Sequence, residues 1–318
     1  MYVGIDLGGT NTAAALVDAG GGIIKRAAVH TDVHGGAIGV VNGLLAVCES
    51  LLVGTAEAPL SIGIGVPGMV DDETGNVIYT PNLPLSGENI TLELKKKYGC
   101  TIRLGNDANC AALGETIAGG AKGAKNVVLI TLGTGIGGGI VLDGRLYTGF
   151  DGAAGELGHM VICAGGRKCG CGRLGCWETY ASATGLIRTT IEIIGTQSTG
   201  KLWELCGGDI GKIDGRMVFN GYRAGDQTAR LAVERYINDL AAGIINIISI
   251  LSPEIICVGG GISNEWDCLS EPLQAAVDAE KYTRFSPQSP QTRIVRAELV
   301  NDAGIIGAAL LGLRFTDR

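Results

Sequence analysis

The chain has no run of basic residues longer than Lys95-Lys96-Lys97, and its net charge is −7. Duplex DNA binding draws on a concentrated positive footprint, so nucleic acid is not an expected partner. A long hydrophobic run is also missing. The most apolar segment, 240–251, is too short to cross a bilayer, contains Asn246 and Ser249, and is stopped by Pro253. The opening Met1-Tyr-Val-Gly-Ile-Asp6 puts an acid where an export signal needs apolar residues, and it has no basic leader. The expectation is a cytoplasmic protein with no membrane anchor. Low-complexity tracts and a collagen-like period are absent too, although 53 of the 318 residues are glycine. Those glycines fall at turns after apolar strands.

What the chain does have is 46% apolar residues, enough for two domains, or for two lobes sharing one cleft. Strand and helix signals alternate. Residues 3–6 and 13–17 read as strands around the polar turn Leu7-Gly8-Gly9-Thr10-Asn11-Thr12, with a further turn at Asp18. Strands at 129–132 and 137–142 repeat the device around Gly133-Thr134-Gly135. At an offset of 125, Leu7 matches Leu132, Gly8 matches Gly133 and Asp18 matches Asp143, which suggests two halves of one topology. Between the hairpins a helix is expected at 37–52, a strand at 61–66 ending in Pro67-Gly68, and a helix at 90–98 closed by Gly99. A strand at 101–104 then feeds a helix at 107–117. Helices follow at 179–194 and 228–251, a strand at 255–258, the turn Gly259-Gly260-Gly261, and a helix at 303–313 capped by Asp302. Residues 195–215 are glycine-rich and polar and carry no assignment. The alternation favours a mostly parallel sheet in each lobe, with a ligand between them.

The densest chemistry lies in Glu156-Leu-Gly-His159, Cys169-Gly-Cys171 and Cys176-Trp-Glu178. One imidazole and three thiolates make the ligand set of a closed tetrahedral structural zinc, and glycines at 170, 172 and 175 let the backbone curl around an ion. The competing account makes these cysteines core residues or a disulfide, like the unspaced cysteines 48, 100, 110, 163, 206, 257 and 268. A chain of this length buries a core without such staples. Cys163 stands near enough to replace His159 as fourth ligand. A redox role for Cys169 and Cys171 lacks the usual Cys-x-x-Cys spacing. His159 would bind the ion through one ring nitrogen and donate the other N–H to a substrate hydroxyl, while Glu156 and Glu178 accept hydroxyl protons. The alternative for both acids is a solvated surface. Glu156, set among Gly155, Leu157 and Gly158, is expected to be buried.

Asp6-Leu-Gly-Gly-Thr-Asn-Thr12 sets a carboxylate beside a turn whose Gly8, Gly9, Thr10, Asn11 and Thr12 offer backbone and hydroxyl donors to a phosphate. It is neither a Walker loop nor a Rossmann fingerprint, and an ordinary hairpin is the alternative. The second turn at Gly133, Thr134 and Gly135 would grip the phosphate tail of ATP from the other side. Asp6 would face magnesium, and Gly259, Gly260 and Gly261 would let adenine lie against backbone. In Gly105-Asn106-Asp107-Ala-Asn109, where a strand feeds a helix, Asp107 is a catalytic base or a plain N-cap; a capping Asn106 with a free Asp107 satisfies both.

Together, Asp6 to Thr12, Glu156-Leu-Gly-His-Met160 and Cys169-Gly-Cys-Gly-Arg-Leu-Gly-Cys176-Trp-Glu178 resemble, over the whole chain, the ROK family of bacterial sugar kinases and repressors. The continuation Glu178-Thr-Tyr-Ala-Ser-Ala-Thr-Gly185 is most similar to its zinc-containing glucokinase branch. The resemblance implies an α/β, two-lobed actin-like ATPase fold, a duplicated ribonuclease-H-like unit with a cleft between lobes, expected here at 1–117 plus 303–318 and at 118–302. It also implies ATP, magnesium, a structural zinc and a homodimer or tetramer. By position it puts sugar contacts on Gly68, Asn106, Asp107, Glu156, His159 and Glu178, with Asp107 as base. Phosphate loops fall on 8–12 and 133–135, and metal ligands on His159, Cys169, Cys171 and Cys176. The expected reaction is transfer of phosphate from ATP to the 6-hydroxyl of glucose, or else of N-acetylmannosamine, N-acetylglucosamine or another hexose. The rival of another class is a sugar-sensing repressor, which would need a winged helix-turn-helix ahead of a first hairpin that begins at residue 3.

Overall fold

In the computed structural model of the chain, residues 1–55, 57–195, 199–286 and 288–314 are described. Val3, Ile5 and Leu7 bury one face of β1 (Tyr2–Leu7), which pairs antiparallel with β2 (Asn11–Val17). That strand pairs antiparallel with β3 (Ile23–His30), an edge strand whose residues alternate between partly buried and exposed, as a half-covered sheet requires. Helix α1 (Gly36–Leu52) lays Val40, Leu44, Val47, Cys48 and Leu51 into the core. The fully buried β4 (Ser61–Val66) then runs parallel to β1. A small hairpin, β5 (Met69–Asp71) with β6 (Asn76–Tyr79), precedes α2 (Leu92–Tyr98), which Gly99 stops in the left-handed region. β7 (Thr101–Asn106) joins β4 in parallel and runs directly into α3 (Asp107–Ala118). The first sheet therefore has the order β3-β2-β1-β4-β7.

The chain continues with β8 (Val127–Leu132), β9 (Ile136–Leu142) and β10 (Arg145–Leu146), then α4 (Glu178–Ala181) and α5 (Ala183–Ile194). Next come α6 (Lys201–Leu205), α7 (Gly215–Arg223), the long α8 (Gln227–Leu251), β11 (Ile255–Gly259) and α9 (Trp266–Glu280). β12 (Arg293–Arg296) and α10 (Asp302–Arg314) close it. The second sheet, β10-β9-β8-β11-β12, repeats the order of the first. Both ends of β8 and of β9 lie 125 residues after those of β1 and β2, the offset seen in the turn residues.

Three expectations change. The first sheet is mixed rather than mostly parallel, because β2 and β3 return as hairpins. The helix expected at 179–194 is two, since Ser182 adopts an extended backbone and its hydroxyl caps α5 by accepting from Gly185 N at 3.0 Å. The unassigned 195–215 stretch holds α6 and a single turn at Ile210–Lys212, while 196–198 lie outside the described residues.

The chain forms two units, Met1–Leu129 with Gly139–Gly155 and Ala297–Arg318, and Ile130–Gly138 with Glu156–Arg296. The stretches 118–129, 139–155 and 297–302 thus belong to the first unit rather than to the lobe expected at 118–302. Glu115 supplies a physical reason for two of them. Its fully buried carboxylate accepts from Gly120 N (2.9 Å), Glu298 N (3.0 Å) and Leu299 N (2.8 Å), pinning both segments to α3.

Helix α10 lies so close to the first sheet that a Cβ on Gly63 would strike the carbonyl of Ala308, and one on Gly4 that of Ile305. Gly63→Ala is expected to cost about 1–3 kcal/mol by overpacking. Gly43→Ala in α1, whose Cβ would meet only Val29 Cγ2 at 3.8 Å, is expected to add about 0.5–1 kcal/mol. Paired urea melts check both signs.

Candidate functional site

In the first unit, β7 delivers its last residue as a helix cap. The Asn106 Oδ1 accepts from Asn109 N at 3.1 Å, and its Nδ2 donates to the carbonyl of Gly68 at 3.1 Å, so these two expected sugar contacts meet. With that cap supplied by Asn106, Asp107 is not the N-cap; its Oδ1 accepts from Ala108 N at 2.8 Å. Asp107 keeps an exposed face, yet partial desolvation raises its carboxyl above its usual proton affinity, against hydrogen bonds from Ala108, its own backbone and the Asn106 side chain that act the other way. Asp6, at the end of β1, is raised as well, first by burial and then by the charge of Asp107. The two carboxylates therefore share one field.

The turn between β1 and β2 is closed by Gly8 N donating to Asn11 O at 3.1 Å, leaving Gly9, Thr10 and Asn11 exposed. Thr12 differs from its neighbours. It is buried, and its hydroxyl bonds Thr31 Oγ1 at 2.9 Å, so it braces the turn from beneath rather than offering a donor to a ligand. Thr31 in turn donates to Gly8 O at 2.8 Å.

In the second unit the turn after β8 has Gly133 N on Gly135 O at 3.0 Å, and Ala183 N holds Gly133 O at 2.9 Å. Gly260, at a φ of 82°, presses its Cα against the backbone of Leu132, so the 133–135 and 259–261 segments are neighbours. A cavity of about 320 Å³ opens beside Thr134 and Gly135, bounded also by Glu178, Ser182, Lys168 and Arg188. The two cations escaped the sequence analysis because neither stands in a motif. They are brought in by the loop at 160–177 and by α5.

His159, Cys169, Cys171 and Cys176 place one ligand atom each within 4.8 Å of all the others. Two sulfurs about 2.3 Å from one tetrahedral ion lie roughly 3.8 Å apart, and a sulfur and an imidazole nitrogen roughly 3.6 Å. The Cys171–Cys176 Sγ separation is 3.7 Å, and Cys169 Sγ lies 3.6 Å from His159 Nδ1. The donor set fits a zinc ion. None of the ten cysteines forms a disulfide, and Cys163 lies outside the cluster, beside the Tyr180 hydroxyl. Gly175, at a φ of 83°, turns the loop where a Cβ would strike the Cys163 carbonyl. Trp177, wholly buried, donates to Asp239 O at 2.9 Å and packs its ring on Gly243, fastening the loop to α8. Arg167 fastens the other side through Thr179 O (2.9 Å), Thr189 Oγ1 (2.9 Å), Glu192 (2.5 Å) and the Tyr180 ring at 4.7 Å.

Glu178 stands where these parts meet, Oε1 lying 2.8 Å from Cys169 Sγ and 3.6 Å from His159 Nδ1. Its other oxygen sits 2.5 Å from where a Cβ on Gly135 would be. Glu156 is not buried as expected. The single turn Leu157–His159 sends Gly158 inward against Ile136 and leaves the Glu156 side chain 65% exposed, its Oε2 3.9 Å from His159 Nε2. His159 thus turns Nδ1 to the sulfurs and Nε2 away from them.

A model of the ROK family matches residues 2–314. The chain belongs to the ROK family. A glucokinase from Thermotoga maritima is 39% identical over 96% of this chain and 95% of its own length. Among solved structures, a ROK family glucokinase from Streptomyces griseus, in complex with glucose and AMPPNP, is 32% identical over 98% of both chains with a TM-score of 0.76. A ROK hexokinase from Thermus thermophilus is 31% identical over 100% of this chain and 99% of that one, with a TM-score of 0.81. The fold is the duplicated, actin-like one of this family. Among the described residues no helix is long and apolar enough to cross a membrane.

The coupled acids give a direct check by carboxyl-carbon NMR. Asp6 should titrate above the ordinary aspartate value of about 3.9 and fall part of the way back in Asp107→Asn, the burial share remaining. An Asp6 titration that Asp107→Asn leaves unmoved would contradict the shared field.

Proposed function

We propose that this ROK protein is an ATP-dependent hexose kinase that phosphorylates the 6-hydroxyl of glucose, working in the cytoplasm as a homo-oligomer. The observation that carries the reading is Asp107, a solvent-reachable carboxylate with raised proton affinity just past the end of β7, close enough to Asp6 for the two charges to interact. The glucokinase relative, alike over nearly its full length, supports glucose as the acceptor.

The residues assigned to the sugar are Gly68, Asn106, Asp107, Glu156, His159 and Glu178. Asp107 accepts a hydrogen bond from the 6-hydroxyl. As that oxygen attacks the γ-phosphorus, its proton passes to Asp107 and ADP leaves. A base whose pKa lies nearer neutrality takes the proton more readily than an ordinary aspartate. Backbone donors at Gly8 to Asn11 and at Gly133 to Gly135, with Lys168 and Arg188, face the phosphates, and Gly259 to Gly261 the adenine. Asp6 is the candidate for holding magnesium, which when bound offsets the phosphate charge. His159, Cys169, Cys171 and Cys176 would hold a structural zinc, and the imidazole so fixed would direct its Nε2–H to a sugar hydroxyl.

A coupled ATP assay on glucose, N-acetylmannosamine, N-acetylglucosamine, mannose, fructose and allose is expected to give glucose the highest kcat/KM. Turnover of none of them would refute the kinase reading. Asp107→Asn should lower kcat by at least about 10²-fold without lowering Tm. The sign follows from burial: a folded-state pKa above the unfolded one means the ionised carboxylate weakens folding as pH rises through it, and asparagine removes that charge. Metal analysis should find one zinc per chain, and chelation should raise the sugar KM and lower Tm together.

A further inference from the structure

Within the first unit a cavity of about 490 Å³ lies against the β5–β6 hairpin, the end of β7 and the loop at 146–152. Its size falls in the range of roughly 300–1,000 Å³ typical of small-molecule sites. Asn106 forms part of its wall and Asp107 does not, so the space lies beside the reacting carboxylate rather than over it. Asn109, only 3% exposed, also lines it, while its Oδ1 is sealed from solvent behind that wall.

The remaining walls define what that ligand is. Arg103 is engaged with Asp72 at 3.0 Å, and Asp151 adds further negative charge, so an anion is disfavoured. Hydroxyl donors suit these acceptors. Phe150, whose side chain is fully exposed, presents an uncovered aromatic face at the same wall, a surface on which the C–H face of a pyranose ring stacks.

We propose that the acceptor site continues past Asn106 into this cavity, and that the cavity takes an uncharged glycosyl substituent on the hexose. The chain then binds reducing disaccharides as well as the monosaccharide, the free 6-hydroxyl of the reducing ring accepting the γ-phosphoryl group of ATP as its proton passes to Asp107 and ADP leaves. This rests on the hexose-kinase reading. The test is calorimetric titration of the whole protein with glucose, maltose, cellobiose and the anionic glucose 4-phosphate, whose substituent sits on the same oxygen, beside the coupled assay. At least one disaccharide should bind and displace glucose, and glucose 4-phosphate should not. Phe150→Ala should weaken disaccharide binding about fivefold or more while the glucose KM stays within about twofold. Leu146→Trp, which fills the cavity, should abolish disaccharide binding alone. No binding of either disaccharide, or variants that weaken glucose and disaccharide alike, would overturn the proposal. Turnover of glucose with no disaccharide binding sinks only this inference; absence of any turnover with disaccharide binding intact sinks the kinase reading instead.

Discussion

The amide of Asn106 accepts from Asn109 N with one end and donates to Gly68 O with the other, and that double engagement sets the chemistry of the first unit. Because Asn106 does the capping, the carboxylate of Asp107 stays open to solvent on one side, with the Ala108 N–H and the Asn106 side chain as its near donors. Among the described residues no cation pairs with it. A neighbouring lysine or arginine would pull its pKa down and make a poor base. The glycine contacts of α10 with the middles of β1 and β4 hold the helix tight against this sheet.

The second unit solves a different problem, orienting polar groups on a loop with little regular structure. Between Leu157–His159 and α4 the backbone forms only isolated bridges, Val161 with Cys176 and Lys168 with Leu174. Four converging ligand atoms, a buried tryptophan and a nearly buried arginine replace the missing ladder. Glu178 gains its place from all three and touches the second glycine turn, so the Cys/His cluster and that turn meet at one side chain.

Much of this was legible in the residues. The 125-residue offset rested on turn residues and is met by the strand bounds themselves, because tight turns fix where strands start and stop. The convergence of His159, Cys169, Cys171 and Cys176 was legible because thiolates and imidazole at short intervals have few uses other than a shared site. β3 was not, since Lys25 and Arg26 interrupt an edge strand that is only half covered. The exposure of Glu156 was misjudged because its neighbours are apolar or small, yet only Gly158 of that turn goes inside. Thr12 looked like a ligand donor in the motif, and only the fold reveals Thr31 beneath it. Lys168 and Arg188 meet at one cavity through tertiary packing that no local pattern encodes.

The central claim is that Asp107 takes the proton of the hydroxyl being phosphorylated. A crystal structure of the protein with glucose and a non-hydrolysable ATP analogue tests it most directly. The account predicts an Asp107 carboxylate oxygen about 2.6–3.2 Å from the 6-hydroxyl, with that hydroxyl facing the γ-phosphorus. A glucose whose 6-hydroxyl meets another side chain, with Asp107 turned away from it, would contradict the account.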